Sequence, residues 1–146
     1  MDELPDDFAI ALGQIMYLGG RVEYLLGQLI PSPDGQPSAR GLSGGRLIEV
    51  LRKIADPGSD LSEIIDGYEQ QQEWRNHLAH GAHTYANGTI WTWRIPAGGK
   101  GNTALSFQFS IETLRQFAQN WQNLAAAVHG ELHARAELAD GEQNPT

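Results

Sequence analysis

Between Glu73 and His80 the chain places Glu73, Arg75, Asn76, His77 and His80 on one stretch of helical pattern. Arginine and histidine together suit phosphodiester chemistry. The guanidinium is a planar, permanently charged fork that matches two phosphate oxygens. An imidazole titrates near neutrality and can take or give a proton. On RNA such a set needs no metal: a base removes the 2′-hydroxyl proton, that oxygen attacks the neighbouring phosphorus, and a cation stabilises the charge that develops. Asn76 could orient either group or bond a phosphate oxygen. The plainer alternative makes Arg75 a surface residue and His80 a C-terminal cap favoured by the helix dipole.

His77, His80 and His83 recur every three residues, a spacing that invites zinc or nickel. Gly81 is expected to end the helix before His83, and no cysteine or acidic ligand stands in the same run, so no metal site and no cofactor are expected. His77 is read as a helix-surface residue.

The elements that position these groups follow from periodicity. From about Leu4 to Ile30, Phe8, Leu12, Ile15, Met16, Val22, Leu25, Leu26 and Leu29 recur at helical spacing. Pro31, Pro33, Asp34-Gly35 and Pro37 end that helix and form a loop. Ser43 is placed to cap a second helix with Leu47, Ile48, Val50, Leu51 and Ile54 buried. After Asp56-Pro57-Gly58, the run Asp60-Leu61-Ser62-Glu63 resembles a capping box opening a third helix, in which Leu61, Ile64, Ile65, Tyr68, Leu78 and Ala79 point inward. Gly81 closes it.

The period then changes to two. Asn87-Gly88 between short runs signals a two-residue hairpin. Trp91, Trp93 and Ile95 alternate with Thr92 and Arg94, and Leu105, Phe107 and Phe109 alternate along a further strand. The aromatic residues, with Tyr85, could stack on unpaired bases; the preferred reading packs them on the helices as one face of a half-buried sheet. Gly98-Gly99-Lys100-Gly101 lacks the spacing of a phosphate-binding P-loop and is read as a hairpin connection. Ser110 then caps a last helix carrying Ile111, Leu114, Phe117, Trp121, Leu124, Val128 and Leu132, and the tail after about Ala139 is expected to be disordered.

At 146 residues the chain is expected to be one domain, 1–146, with its core at about 8–135. It has no cysteine, which excludes disulfides, thiolate metal sites and cysteine nucleophiles. The acidic opening Asp2, Glu3, Asp6, Asp7 is unlike a signal peptide, and the best apolar run, Phe8 to Leu18, is too short to span a bilayer; a cytoplasmic protein with no membrane partner is expected. The net charge of −8 is concentrated at the two ends, which argues against a broad phosphate-tracking surface but leaves room for a site taking one or two phosphates.

The first helix holds a second signal. Gly13, Gly20 and Gly27 lie seven apart and share a face. Each costs about 1 kcal/mol relative to alanine in a helix, which suggests that something packs closely there. Glu23 shares that face. A buried carboxylate needs a partner, and Arg75 is the expected one; the alternative leaves the glycines merely tolerated and Glu23 solvated.

The run Trp74-Arg75-Asn76-His77-Leu78-Ala79-His80-Gly81 resembles the signature of the HEPN superfamily, arginine followed after four to six residues by histidine, with asparagine the commonest residue after the arginine. The long first helix with a central glutamate, the second helix after a glycine-rich turn and the closing helix also match in outline over about 8–135. The meander looks like an insertion. The resemblance implies a mainly α fold, a four-helix HEPN-like bundle with a small antiparallel β-meander before the last helix. It further implies metal-independent RNA cleavage of the toxin or defence type in a composite homodimer site. By that likeness Arg75 and His80 are catalytic with Asn76 supporting, while Glu23 and His77 stand as supporting or substrate-binding residues. RNA, a second copy and a cognate antitoxin protein are the implied partners. Many members of the superfamily bind RNA or dimerise without cleaving, so a non-catalytic RNA-, nucleotide- or protein-binding module is the competing function.

Overall fold

The computed structural model describes residues 3–31, 41–95 and 104–143. The order is α1 (Asp6–Gly27), α2 (Gly44–Ile54), α3 (Asp60–His80), β1 (Ala82–Ala86), β2 (Thr89–Arg94), β3 (Leu105–Phe109) and α4 (Ile111–Gln143). The expected glycine-rich connection at 98–101 and most of the proline-rich loop after Pro31 lie outside the described residues.

The apolar stripes expected of α1, α2 and α4 face one core, except that Ile54, expected to be buried, is exposed at the end of α2. Ile15, Val22 and Leu26 of α1 meet Leu47 and Leu51 of α2, Ile65 and Tyr68 of α3, and Leu114, Trp121 and Val128 of α4, all fully buried. Arg52 ties α2 to α3 through Asp66 at 2.9 Å and Glu69 at 2.7 Å, an exposed cluster worth little beside the core.

Helix starts differ in chemistry from their expected form. The side chain of Ser43 makes no capping bond; the first amide of α2, on Gly44, instead donates to the Tyr68 hydroxyl at 3.1 Å. On α3 the cap is Ser59, one residue before the expected box, and its hydroxyl accepts from the Ser62 amide at 3.2 Å. Ser110 caps α4 as expected, accepting from Thr113 N at 3.2 Å. The tail expected to be disordered continues as α4 as far as Gln143. Ala79, expected inward, is exposed.

The sheet is antiparallel in the order β1-β2-β3. Asn87 (φ 54°) and Gly88 (φ 75°) both adopt positive φ, as a type I′ turn requires, and the closing pair is Ala86 with Thr89. Register settles which face is inward. Ile90 pairs with Phe109 and Thr92 with Phe107, and Ile90, Thr92 and Phe109 are buried. Trp91 and Trp93 therefore point to the opposite face, stacked on each other at 6.5 Å, with Trp93 41% exposed. This corrects the expectation that the tryptophans pack on the helices. The packing aromatic is Trp74, which stacks on Phe117 at 5.6 Å and meets Phe107 and Phe109 edge-on.

Gly81 ends α3 in extended backbone (φ −80°, ψ 159°) rather than in the left-handed turn expected of a terminal glycine. Its glycine has another cause: a Cβ there would collide with Thr92 Cγ2 and lie 2.6 Å from the His77 carbonyl oxygen. Gly81→Ala should therefore destabilise the fold by about 1–3 kcal/mol, the usual range for forced overpacking. Urea unfolding measures this, and an unchanged midpoint would show that β2 does not press on the helix end.

Candidate functional site

Glu23 of α1 and Arg75 of α3 form the expected pair. Arg75 Nη1 lies 3.2 Å from Glu23 Oε1, and Nη2 donates to Oε2 at 3.4 Å; the side chains retain only 18% and 13% of their exposure. The Tyr68 hydroxyl donates to Glu23 Oε1 at 2.8 Å while accepting from Gly44 N. Burial first, and then the Glu23 carboxylate, hold that phenol protonated well above its usual range, so Tyr68 serves as a donor at any physiological pH. Beneath the guanidinium, Trp121 of α4 lies 5.8 Å from Arg75 Cζ, within cation–π reach.

The glycine that admits Arg75 is Gly19, a residue outside the expected stripe. A Cβ on Gly19 would come within 2.5 Å of Arg75 Nη1 and 2.6 Å of Cδ. At Gly13 and Gly20, by contrast, no described residue lies within 4 Å of the same position. The stripe of Gly13 and Gly20 thus receives no helix of its own chain among the described residues. Gly19 is half of a Gly-Gly pair, so a doubled glycine inside an amphipathic helix was the available signal. Tyr68 and Trp121, assigned to the core by period alone, carry no local mark of their polar contacts.

The remaining motif residues diverge. Arg75 and His80 are five positions apart, which puts their side chains about 140° apart around the helix axis. His80 is exposed in the last turn of α3. Asn76 is half-buried and accepts from Gln72 Nε2 at 3.2 Å, a bond along its own helix. His77 is not on the surface as expected. It is 5% exposed, with its ring 4.3 Å from that of Phe107 and 5.8 Å from that of Trp74. Contact between His77 and a substrate would require lifting the sheet. Burial, with Arg94 adding repulsion and Glu73 opposing it, lowers its pKa below the ordinary 6.5. Its Nδ1 finds no partner among the described residues.

His83 on β1 is an exposed residue with both nitrogens engaged: Nε2 donates to the Leu78 carbonyl at 2.7 Å and Nδ1 meets Thr92 Oγ1 at 2.8 Å. The three histidines therefore occupy a ring stack, open solvent and a helix-end bond. Among the described residues no three His, Asp or Glu side chains are gathered as for a metal ion, and no helix is long and apolar enough to cross a membrane.

No family model, no curated protein and no solved structure matches this chain.

Two measurements test these contacts. Glu23→Ala leaves a largely enclosed cation unpaired and should cost about 3 kcal/mol, with Glu23→Gln milder; an unchanged melting temperature for Glu23→Ala would show that the pair is solvated. With its pKa lowered in the fold, His77 gains a proton more readily once unfolded. Stability should therefore be flat above pH 6.5 and fall as pH drops below it, because the unfolded chain then binds more protons. In His77→Phe that slope should lessen, and a slope unchanged from the parent would assign it to other groups.

Proposed function

We propose that this chain is a HEPN-like RNA-acting domain, a metal-independent endoribonuclease of the toxin or defence type that uses Arg75 and His80 in a homodimeric site. The observation that supports it best is a guanidinium held in advance, on the same helix as an exposed histidine. Glu23 grips Arg75 from one side and Trp121 floors it, and the side chain keeps 18% of its exposure. In this reading a phosphate oxygen meets the guanidinium through that exposed part. In this reading Asn76 supports Arg75, and a second copy supplies the second proton-transfer group that strand cleavage requires.

Charge distribution also favours a polyanionic substrate. From Trp74 to Ile111 the sequence contains Arg75, Arg94 and Lys100 and not one acid, while all 18 acids lie elsewhere. The net charge of −8 hides this acid-free region, which includes the motif and the outward Trp91–Trp93 pair. In a toxin-like role the acidic ends would keep the rest of the surface from RNA, and a cognate antitoxin protein would be the inhibitor.

A second reading has its own support. Arg75 is already paired with Glu23, and His80 lies about 140° away around the helix. If the ion pair is purely structural, the domain binds RNA, a nucleotide or a protein without cleaving.

Expression of the parent beside His80→Ala separates the two, with growth and RNA integrity scored together. A nuclease loses cleavage on His80→Ala while keeping its melting temperature, and Arg75→Lys falls at least about tenfold because lysine lacks the bidentate fork. Chelator leaves cleavage unchanged. Cleavage abolished by chelator and restored by zinc would overturn the mechanism, and full activity in both variants would remove the site.

A further inference from the structure

The outward face of the sheet carries two tryptophans where its other residues are small or polar. Residues paired directly across antiparallel strands share a face. Trp91 of β2 therefore stands between Thr84 and Gln108, and Trp93 between Ala82 and Ser106. The helices pack on the other face, through Trp74 against Phe107 and Phe109. Trp93 is exposed, Trp91 is half-buried, and neither belongs to the hydrophobic core.

The two rings are nearly parallel, 17° apart, with centroids separated by 6.5 Å. Flat groups in full face contact approach to about 3.4 Å, the rise of a stacked nucleotide. At 6.5 Å each indole leaves most of its face open to a third flat group. Strand geometry sets this spacing, because residues two apart on one face lie about 6.6 Å from each other.

We infer that Trp91 and Trp93 form a stacking site for an unpaired nucleobase of a single-stranded nucleic acid. Aromatic stacking tolerates any sequence, since every base has a π-face. Polar groups for a base edge flank the rings. Gln108, exposed opposite Trp91, offers an amide donor and acceptor, and Ser106, exposed opposite Trp93, offers a hydroxyl. Charge is complementary as well: β1, β2 and β3 contain no acid, and β2 ends on Arg94. A base inside a duplex is already stacked on its neighbours and cannot present its face, so the site selects single strands.

The site adjoins the end of α3. Trp93 pairs with Ala82, two residues beyond His80, and its carbonyl oxygen lies 3.2 Å from where a Cβ on Gly81 would stand. A base held on Trp93 therefore brings its strand beside the exposed His80. The inference deepens the proposed RNA-acting site and rests on that reading for its link to cleavage; the stacking itself stands on the sheet face alone.

Binding is measured with a labelled single strand of 2′-O-methyl RNA, which lacks the attacking hydroxyl and stays intact. Fluorescence anisotropy should show saturable binding by the full chain, with tryptophan emission quenched. Trp93→Ala should weaken binding roughly tenfold at an unchanged melting temperature, the usual effect of removing one stacking partner. Trp93→Phe keeps a flat ring and should keep most of the affinity. An abasic strand of equal length, and the same strand in a duplex, should each bind the parent at least about tenfold more weakly. The abasic comparison uses the parent alone, so it decides the matter even if Trp93→Ala does not fold.

Equal affinity for abasic and base-containing strands would reduce the face to a phosphate contact and overturn the inference. Full binding by Trp93→Ala would do the same, and a loss of stability alongside it would place the rings under residues 96–103 of the same chain. A parent that binds adenosine monophosphate as tightly as the strand would give the site to a free nucleotide. A parent that binds no strand would leave the rings to a protein partner, and either result overturns the assignment. Stacking with these properties but no cleavage of unmodified RNA would uphold the site and fail only the nuclease reading. Cleavage that depends on His80 with no preference for bases would do the reverse.

Discussion

One largely enclosed ion pair joins all four helices. Glu23 belongs to α1, Arg75 and Tyr68 to α3, Gly44 to the start of α2 and Trp121 to α4, and each touches the next. The desolvation of two charges is offset only when their hydrogen-bonding capacity is met, which is why the phenol of Tyr68 and the bare backbone at Gly19 are part of the same arrangement. Tyr68 does double service. Its hydroxyl proton goes to the carboxylate, and its lone pair accepts the first amide of α2. The start of α2 is thus tied to Glu23 of α1 through one hydroxyl on α3.

What could be read from the sequence was whatever depends on neighbours along the chain. Asn87-Gly88 specified its turn because both positions need positive φ, and Ser110 specified its cap because the acceptor and its amide are three residues apart. The Glu23–Arg75 pair was legible for a different reason: a carboxylate among glycines needs a cation, and few were available. Phase was the weak point. Alternation along β2 shows that two faces exist, but the choice between Trp91-Trp93 and Ile90-Thr92 was made by Trp74, Phe107 and Phe109 on other elements. Period two carries no information about that choice.

The same limit explains the misplacement of His77 and Gly81. A histidine in a polar run reads as a surface residue until a strand more than 25 positions away lays Phe107 over its ring. A glycine after a helix reads as a left-handed cap, yet here the restriction comes from Thr92 across the sheet. Both errors concern the junction of α3 with the meander, where contacts distant in sequence replace local rules. The candidate site suffers in the same way: the motif names Arg75 and His80, but only the tertiary structure turns one inward and leaves the other in solvent.

His83 shows what that junction entails. Its Nε2–H from β1 satisfies the Leu78 carbonyl, one of the last four in α3 that have no partner within the helix, while Gly81 N satisfies that of His77. The helix end is therefore sealed by the first strand, and the strand is anchored by the helix end through Thr92 on β2. Neither can open alone without exposing the other's polar groups. In hydrogen exchange the amides of the last turn of α3 and those pairing β1 with β2 should belong to one cooperative unit, releasing their protons together with a common opening free energy. His80, inside that unit, is held by the integrity of the sheet as firmly as by its own helix.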